Sequence, residues 1–287
     1  MIAEIRGPAF NETAMRVYRE ALTRLCECQV PFLVAGAYAL QNYTGIARHT
    51  KDLDIFVRRD DSREVLDALE SIGWRTEVTY PHWLAKGFFG ELYLDVIFNS
   101  GNGICPVDDE WFAHATDVIA FGLQVKLSPP EEMLWQKMFI MSRERYDGAD
   151  VLHIIRTVGH RLDWHRVLWR MRDHARLLLS HLLLFGYVYP ADRAQVPQWV
   201  LDQLLEQVRN DSSTDLAIDP DEVTFCRGTL LSATDYLHDV DHGTYVDPRL
   251  PPYGNMAPAH IDQWTTALLE HRRPDRPIDP LPAGCRK

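Results

Sequence analysis

The chain has 287 residues, of which 46% are hydrophobic, 25% charged and 10% aromatic, a balance that excludes collagen-like, low-complexity and disulfide-scaffold classes and predicts a folded, soluble protein. Its 30 Lys and Arg against 41 Asp and Glu leave a net charge of −11, which repels polyanions and argues against binding bulk nucleic acid through a broad basic face. The five scattered cysteines (Cys26, Cys28, Cys105, Cys226, Cys285) form no C-x-x-C pair, and neither an apolar leader nor a membrane-length run is visible, so the expected location is a reducing cytoplasm.

In chain order, apolar residues spaced three and four apart predict a helix over Thr13–Cys28. A short strand, Phe32–Ala35, breaks at Gly36, and Ala37–Tyr43 reads as a second helix. Strands follow at Leu53–Val57, Arg75–Tyr80, Gly90–Phe98 and Val118–Leu127, with a helix over Ser62–Ile72 between the first two. At Ser128 the character changes. Ser128-Pro129-Pro130-Glu131 reads as a capping box opening a helix, and further helices are predicted over Gly148–Val158, Trp164–Phe185 and Gln198–Arg209. Pro248–Pro258 reads as extended. The expectation is an α/β (α+β) mixed-sheet domain over 1–127, a mostly helical domain over 128–271 and a loose Pro-rich tail over 272–287.

Chemistry concentrates on the strands. Side chains alternate across a strand, so Asp52 and Asp54 share one face while Leu53, Ile55 and Val57 share the other. Asp95 interrupts the apolar run Leu92–Phe98, where an acid is costly unless it meets a cation or a metal. If the two strands are neighbours, Asp52, Asp54 and Asp95 form a three-carboxylate cluster suited to a hard divalent cation, Mg²⁺ above all. Gly36, between a strand and a helix, lets backbone amides approach phosphate oxygens at a helix N-terminus.

Val34-Ala35-Gly36-Ala37-Tyr38-Ala39-Leu40 followed by Arg48-His49-Thr50-Lys51-Asp52-Leu53-Asp54-Ile55 resembles the signature of the polymerase-β-like minimal nucleotidyltransferase superfamily. The resemblance implies a nucleotidyltransferase-type sheet with Asp52 and Asp54 as the metal-binding pair, Asp95 as the third acid and Gly36 and Ala37 as the phosphate-binding turn. Ala37 stands where Gly or Ser is usual, which keeps the small size and loses a hydroxyl contact. Arg48, Thr50 and Lys51 read either as loop polars or as phosphate contacts. Lys137, followed by Arg145-Tyr146-Asp147-Gly148-Ala149-Asp150, is similar to the helices of the branch containing abortive-infection type toxins and small-molecule-modifying enzymes. That likeness implies a phosphate-holding Lys137 supported by Asp147 and Asp150. On the residues alone, Lys137 reads as a snorkelling surface lysine, and the two acids as a helix start.

The function implied is Mg²⁺-dependent transfer of an NMP group from a nucleoside triphosphate, ATP among them, to a hydroxyl acceptor, with release of pyrophosphate. The net charge favours a small acceptor such as an antibiotic over bulk RNA. The resemblance leaves a tRNA end, a protein side chain and a partner antitoxin open. The alternative is a catalytically weakened nucleotide-binding or regulatory protein of the same fold, with Ala37 as its motive. A third class, an HD-type phosphohydrolase, would need a metal at His238 and His242, which read as solvated turn residues.

Overall fold

The computed structural model describes residues 3–4, 11–47, 50, 52–214, 224–243 and 245–271. Arg48, Lys51, Cys285 and the tail over 272–287 lie outside the described residues.

The chain begins with strand β1 (Ala3–Glu4) and helix α1 (Glu12–Glu27), whose N-terminal amides are capped by Asn11 accepting from the Ala14 N–H at 2.8 Å. There follow β2 (Leu33–Val34), α2 (Gly36–Thr44), β3 (Asp52–Phe56), α3 (Ser62–Glu70), β4 (Arg75–Tyr80), β5 (Leu84–Phe89) and β6 (Leu92–Ile97). After α4 (Asp109–Ala113), strands β7 (Thr116–Ala120) and β8 (Leu123–Leu127) complete an eight-stranded mixed sheet in the order β1-β7-β8-β2-β3-β6-β5-β4. β3 and β6 run parallel and adjacent, although β4 and β5 lie between them in sequence. That crossover places the acid-bearing strands side by side.

The apolar alternation works as read. Leu53, Ile55, Leu94 and Val96 are all buried on one face of the sheet, in a core shared with Tyr18, Leu22 and Leu25 of α1 and Val65 and Leu69 of α3. A Cβ at Gly87 would meet Leu69 Cδ1 at 3.0 Å, which marks the α3 side of β5, so Lys86 and Phe88 point to the opposite face with the acids.

Beyond Leu127 come α5 (Pro130–Met138), α6 (Gly148–Val158), α7 (Trp164–Arg170), α8 (Ala175–Val188), α9 (Gln198–Thr214), α10 (Leu237–Asp241) and α11 (Pro258–His271). A buried ion network fastens these helices to the sheet region. Arg170 donates to Asp108 at 2.6 and 2.7 Å and reaches Glu132 at 3.4 Å, while Arg166 bonds both Glu131 and Glu132. No helix among the described residues is long and apolar enough to cross a membrane.

Several expected elements are corrected. Val118–Leu127 is a hairpin rather than one strand, because Phe121 (φ 55°) and Gly122 (φ 71°) both adopt left-handed backbone and turn the chain between β7 and β8. Trp164–Phe185 is two helices separated by a 3-10 turn over Arg172–His174, since Met171 leaves helical backbone. The capping box is absent. Pro129 occupies the cap position without a side-chain bond, and Glu131 instead accepts from the Asp163 N–H at 2.9 Å and from Arg166. Pro248–Pro258 is turns rather than an extended stretch, and α4, α10, α11 and β5 were not foreseen.

Candidate active site

The register of the central strands builds the site. Asp52 stands opposite Tyr93 and Asp54 opposite Asp95 across the β3–β6 pair. One carboxylate oxygen from each of Asp52, Asp54 and Asp95 lies within 4.8 Å of the others, and all three residues are half-buried. This is the only group of three or more potential metal-ligating side chains among the described residues, so the His238 and His242 metal reading is not supported there. Those two rings instead meet edge to face, with centroids 4.5 Å apart.

Asp54 occupies the most constrained position. Its backbone carbonyl accepts from the Ala35 N–H at 3.0 Å, which ties β3 to the start of α2. Gly36 begins that helix with φ +56°, and a Cβ there would lie 1.7 Å from Asp54 Oδ2. Only a residue without a side chain lets the helix N-terminus sit over this carboxylate. Burial, reinforced by the charges of Asp52 and Asp95, pushes the Asp54 carboxyl up to about 7, against a downward pull from Arg145 and Lys137. Burial also raises Asp95, partly countered by Lys86, whose Nζ donates to Asp95 Oδ1 at 2.7 Å. Thr50 Oγ1 donates to Asp52 Oδ1 and fixes that carboxylate. Ala37, the second residue of the turn, is half-buried in the first turn of α2.

The helical part supplies the nearby cations. Lys137 on α5 donates to Asp147 Oδ2 at 2.7 Å and Asp150 Oδ2 at 2.8 Å, and both acids are buried at the start of α6. Arg145 grips Asp147 through two bonds of 3.1 Å. Lys137 is thus neither a surface lysine nor free: two acids fix it within electrostatic reach of Asp54. α6 packs against α2, which brings this cation cluster beside the Gly36 turn.

Two participants escaped the sequence. Lys86 lies in the run Trp83–Phe89, where Gly87 breaks the apolar pattern that marks a strand. The requirement for a cation beside Asp95 was visible, but its source was not. Tyr93, opposite Asp52, carries a phenol raised by burial and by that carboxylate.

No family model matches the chain, and no curated protein matches it. Among solved structures it is similar to ANT(2")-Ia in complex with adenylyl-2"-tobramycin, at 17% identity and a TM-score of 0.41, over 57% of this chain and 98% of that one. It is similar to the lincomycin-bound lincosamide antibiotic adenylyltransferase LnuA at 16% identity and a TM-score of 0.36, over 52% and 98%. It is also similar to an antigenic nucleotidyltransferase-like protein from Paracoccidioides brasiliensis at 15% identity and a TM-score of 0.36, over 61% and 94%.

Proposed function

We propose that this chain is a divalent-metal-dependent nucleotidyltransferase of the polymerase-β-like superfamily, moving an NMP group from a nucleoside triphosphate to a hydroxyl acceptor. The observation that supports it is the convergence of Asp52, Asp54 and Asp95 within 4.8 Å, beneath a helix that begins with glycine. Three carboxylate oxygens are the donor set a hard cation prefers, and Asp54, held near 7 by burial and its acidic neighbours, is a carboxylate short of positive charge. The residues therefore fit Mg²⁺, with Asp52 and Asp54 as its principal ligands and Asp95 as the third. When bound, the ion supplies charge neutralisation on the triphosphate and acidifies an attacking hydroxyl.

The chain's own residues do the rest. Gly36 and Ala37 present the N-terminal amides of α2 to phosphate oxygens, where the helix dipole favours negative charge. Lys137, oriented by Asp147 and Asp150, adds a fixed positive charge on the same side. Thr50 holds Asp52 in place, and Arg48, two positions earlier in the sequence, is assigned to the nucleotide on the motif alone. In the transfer, the acceptor oxygen bonds to the α-phosphorus as the bridging bond to the β-phosphate breaks. Its proton passes to Asp95, and pyrophosphate leaves. Residues 1–127 form the catalytic part in this reading, and 128–271 the helical part that contributes Lys137.

The net charge of −11 favours a small hydroxylated acceptor over a polyanion. The test is a panel of the four ribonucleoside triphosphates against aminoglycoside and lincosamide acceptors, read by Mg²⁺-dependent pyrophosphate release and by the mass of the acceptor. Adduct formation with one acceptor supports the reading; nucleotide binding without turnover for any pair favours the regulatory alternative.

A further inference from the structure

The sheet register sets four charged side chains in one row. Asp54 on β3 faces Asp95 on β6, Asp95 faces Lys86 on β5, and Lys86 faces Glu77 on β4. Directly paired residues in neighbouring strands share a face, so Lys86 stands between two acids, one inside the candidate metal site and one outside it. In the structure it has taken the inner one. Its Nζ lies 2.7 Å from Asp95 Oδ1 and 4.7 Å from the centroid of the Tyr93 ring, with only 21% of its side chain exposed. Glu77 is more exposed, at 42%, and holds Arg75 at 2.8 Å.

An ammonium on a carboxylate oxygen and a divalent cation on the same carboxylate compete, because each satisfies the same lone pairs and the two positive charges repel. We propose that Lys86 is a displaceable counter-ion for Asp95, a positioning residue that must swing toward Glu77 before Asp95 can serve a metal ion or accept a proton from the acceptor. Among the described residues no Lys or Arg bonds Asp52 or Asp54 directly: Thr50 bonds Asp52 through a neutral hydroxyl, and Gly36 covers Asp54 without a side chain, while Arg145 and Lys137 act on Asp54 only through their charge. Metal loading is consequently ordered, first on the Asp52–Asp54 pair and afterwards on Asp95. The arrangement also explains how Asp95 is tolerated in an apolar strand before any metal ion arrives. This inference rests on the proposed metal role of the three acids.

The experiment is a Mn²⁺ titration of the nucleotide-free protein, with free ion counted by electron paramagnetic resonance. Wild type is expected to show one tighter and one weaker site. Lys86→Met keeps the aliphatic stem, and it should tighten the weaker site by about tenfold or more, while Lys86→Arg keeps wild-type behaviour. Lys86→Gln serves as a second, polar replacement, and circular dichroism establishes that each variant is folded. The gain must vanish in an Asp95→Asn background, and Glu77→Gln should weaken the second site severalfold by removing the outer acid. Folded Lys86→Met and Lys86→Gln proteins with unchanged Mn²⁺ isotherms overturn the counter-ion role. An Asp54→Asn protein that binds Mn²⁺ like wild type overturns the metal reading itself, independently of Lys86.

Discussion

Gly36 and Asp54 are packed so closely that a methyl group on the first would overlap a carboxylate oxygen of the second, at 1.7 Å. The contact joins the turn at the start of α2 and the acid-bearing strand β3 into one unit, so neither can be altered alone.

Gly36→Ala therefore tests that unit. The left-handed backbone at φ +56° costs a residue with a side chain about 1–3 kcal/mol, and the overlap adds to it by forcing Asp54 aside. The expected outcome is a lower melting temperature together with loss of Mn²⁺ binding. A variant that melts and binds like wild type would show that the turn and the carboxylate are not coupled.

Asp54→Asn carries a pH signature. With a folded value of about 7 against an ordinary 3.8, Asp54 binds its proton more tightly in the folded state. In the metal-free protein its contribution is therefore lost as pH rises from about 4 to about 7, and is constant outside that window. The variant lacks this loss. Its melting temperature minus that of wild type should grow across the window and level off above it, and added Mg²⁺ should shrink the difference by stabilising wild type alone. Paired thermal melts from pH 4 to 8 check the sign.

Lys137→Met removes the ammonium that bonds both buried acids, Asp147 and Asp150, while Arg145 still grips Asp147. Breaking a buried pair from one side costs about 3–5 kcal/mol, so the urea midpoint should fall clearly. If Lys137 also contacts phosphate, the apparent affinity for triphosphate drops beyond what the loss of stability accounts for. Nucleotide titration well below the midpoint separates the two effects.

Arg170→Ala strips the fully buried Glu132 of one of its two guanidinium partners and unties Asp108, and it removes the stacking of Arg170 on Trp135 and Trp169. Asp108 is solvated enough to stand alone, but Glu132, already pushed up to about 7 by burial, is not. A loss of about 3 kcal/mol is expected from chemical denaturation. Mn²⁺ binding to the three acids should be retained, since the network lies apart from them.

The acid strands were legible because alternation is local: Asp52 and Asp54 against Leu53 and Ile55, and Asp95 against Leu94 and Val96, each declare a face within a few residues. Their adjacency was conditional until the parallel pairing of β3 with β6, since a crossover passing through two intervening strands leaves no local trace. The hairpin at Phe121–Gly122 was missed because a phenylalanine at φ 55° does not advertise a turn. Glu131 misled as a capping residue because its actual partners, Asp163 and Arg166, are over thirty positions away. Lys86 was hidden for the same kind of reason, in a strand interrupted by a glycine that exists to make room for Leu69 and Trp74.

The proposed metal-dependent transfer by Asp52, Asp54 and Asp95 is tested by pyrophosphate release with the best acceptor of the panel, comparing wild type with Asp54→Asn and each with and without EDTA. Wild type is expected to release pyrophosphate in a reaction that EDTA abolishes, and a folded Asp54→Asn protein to be slower by about a hundredfold or more. Release at the wild-type rate by folded Asp54→Asn, or release indifferent to EDTA, would contradict the proposal.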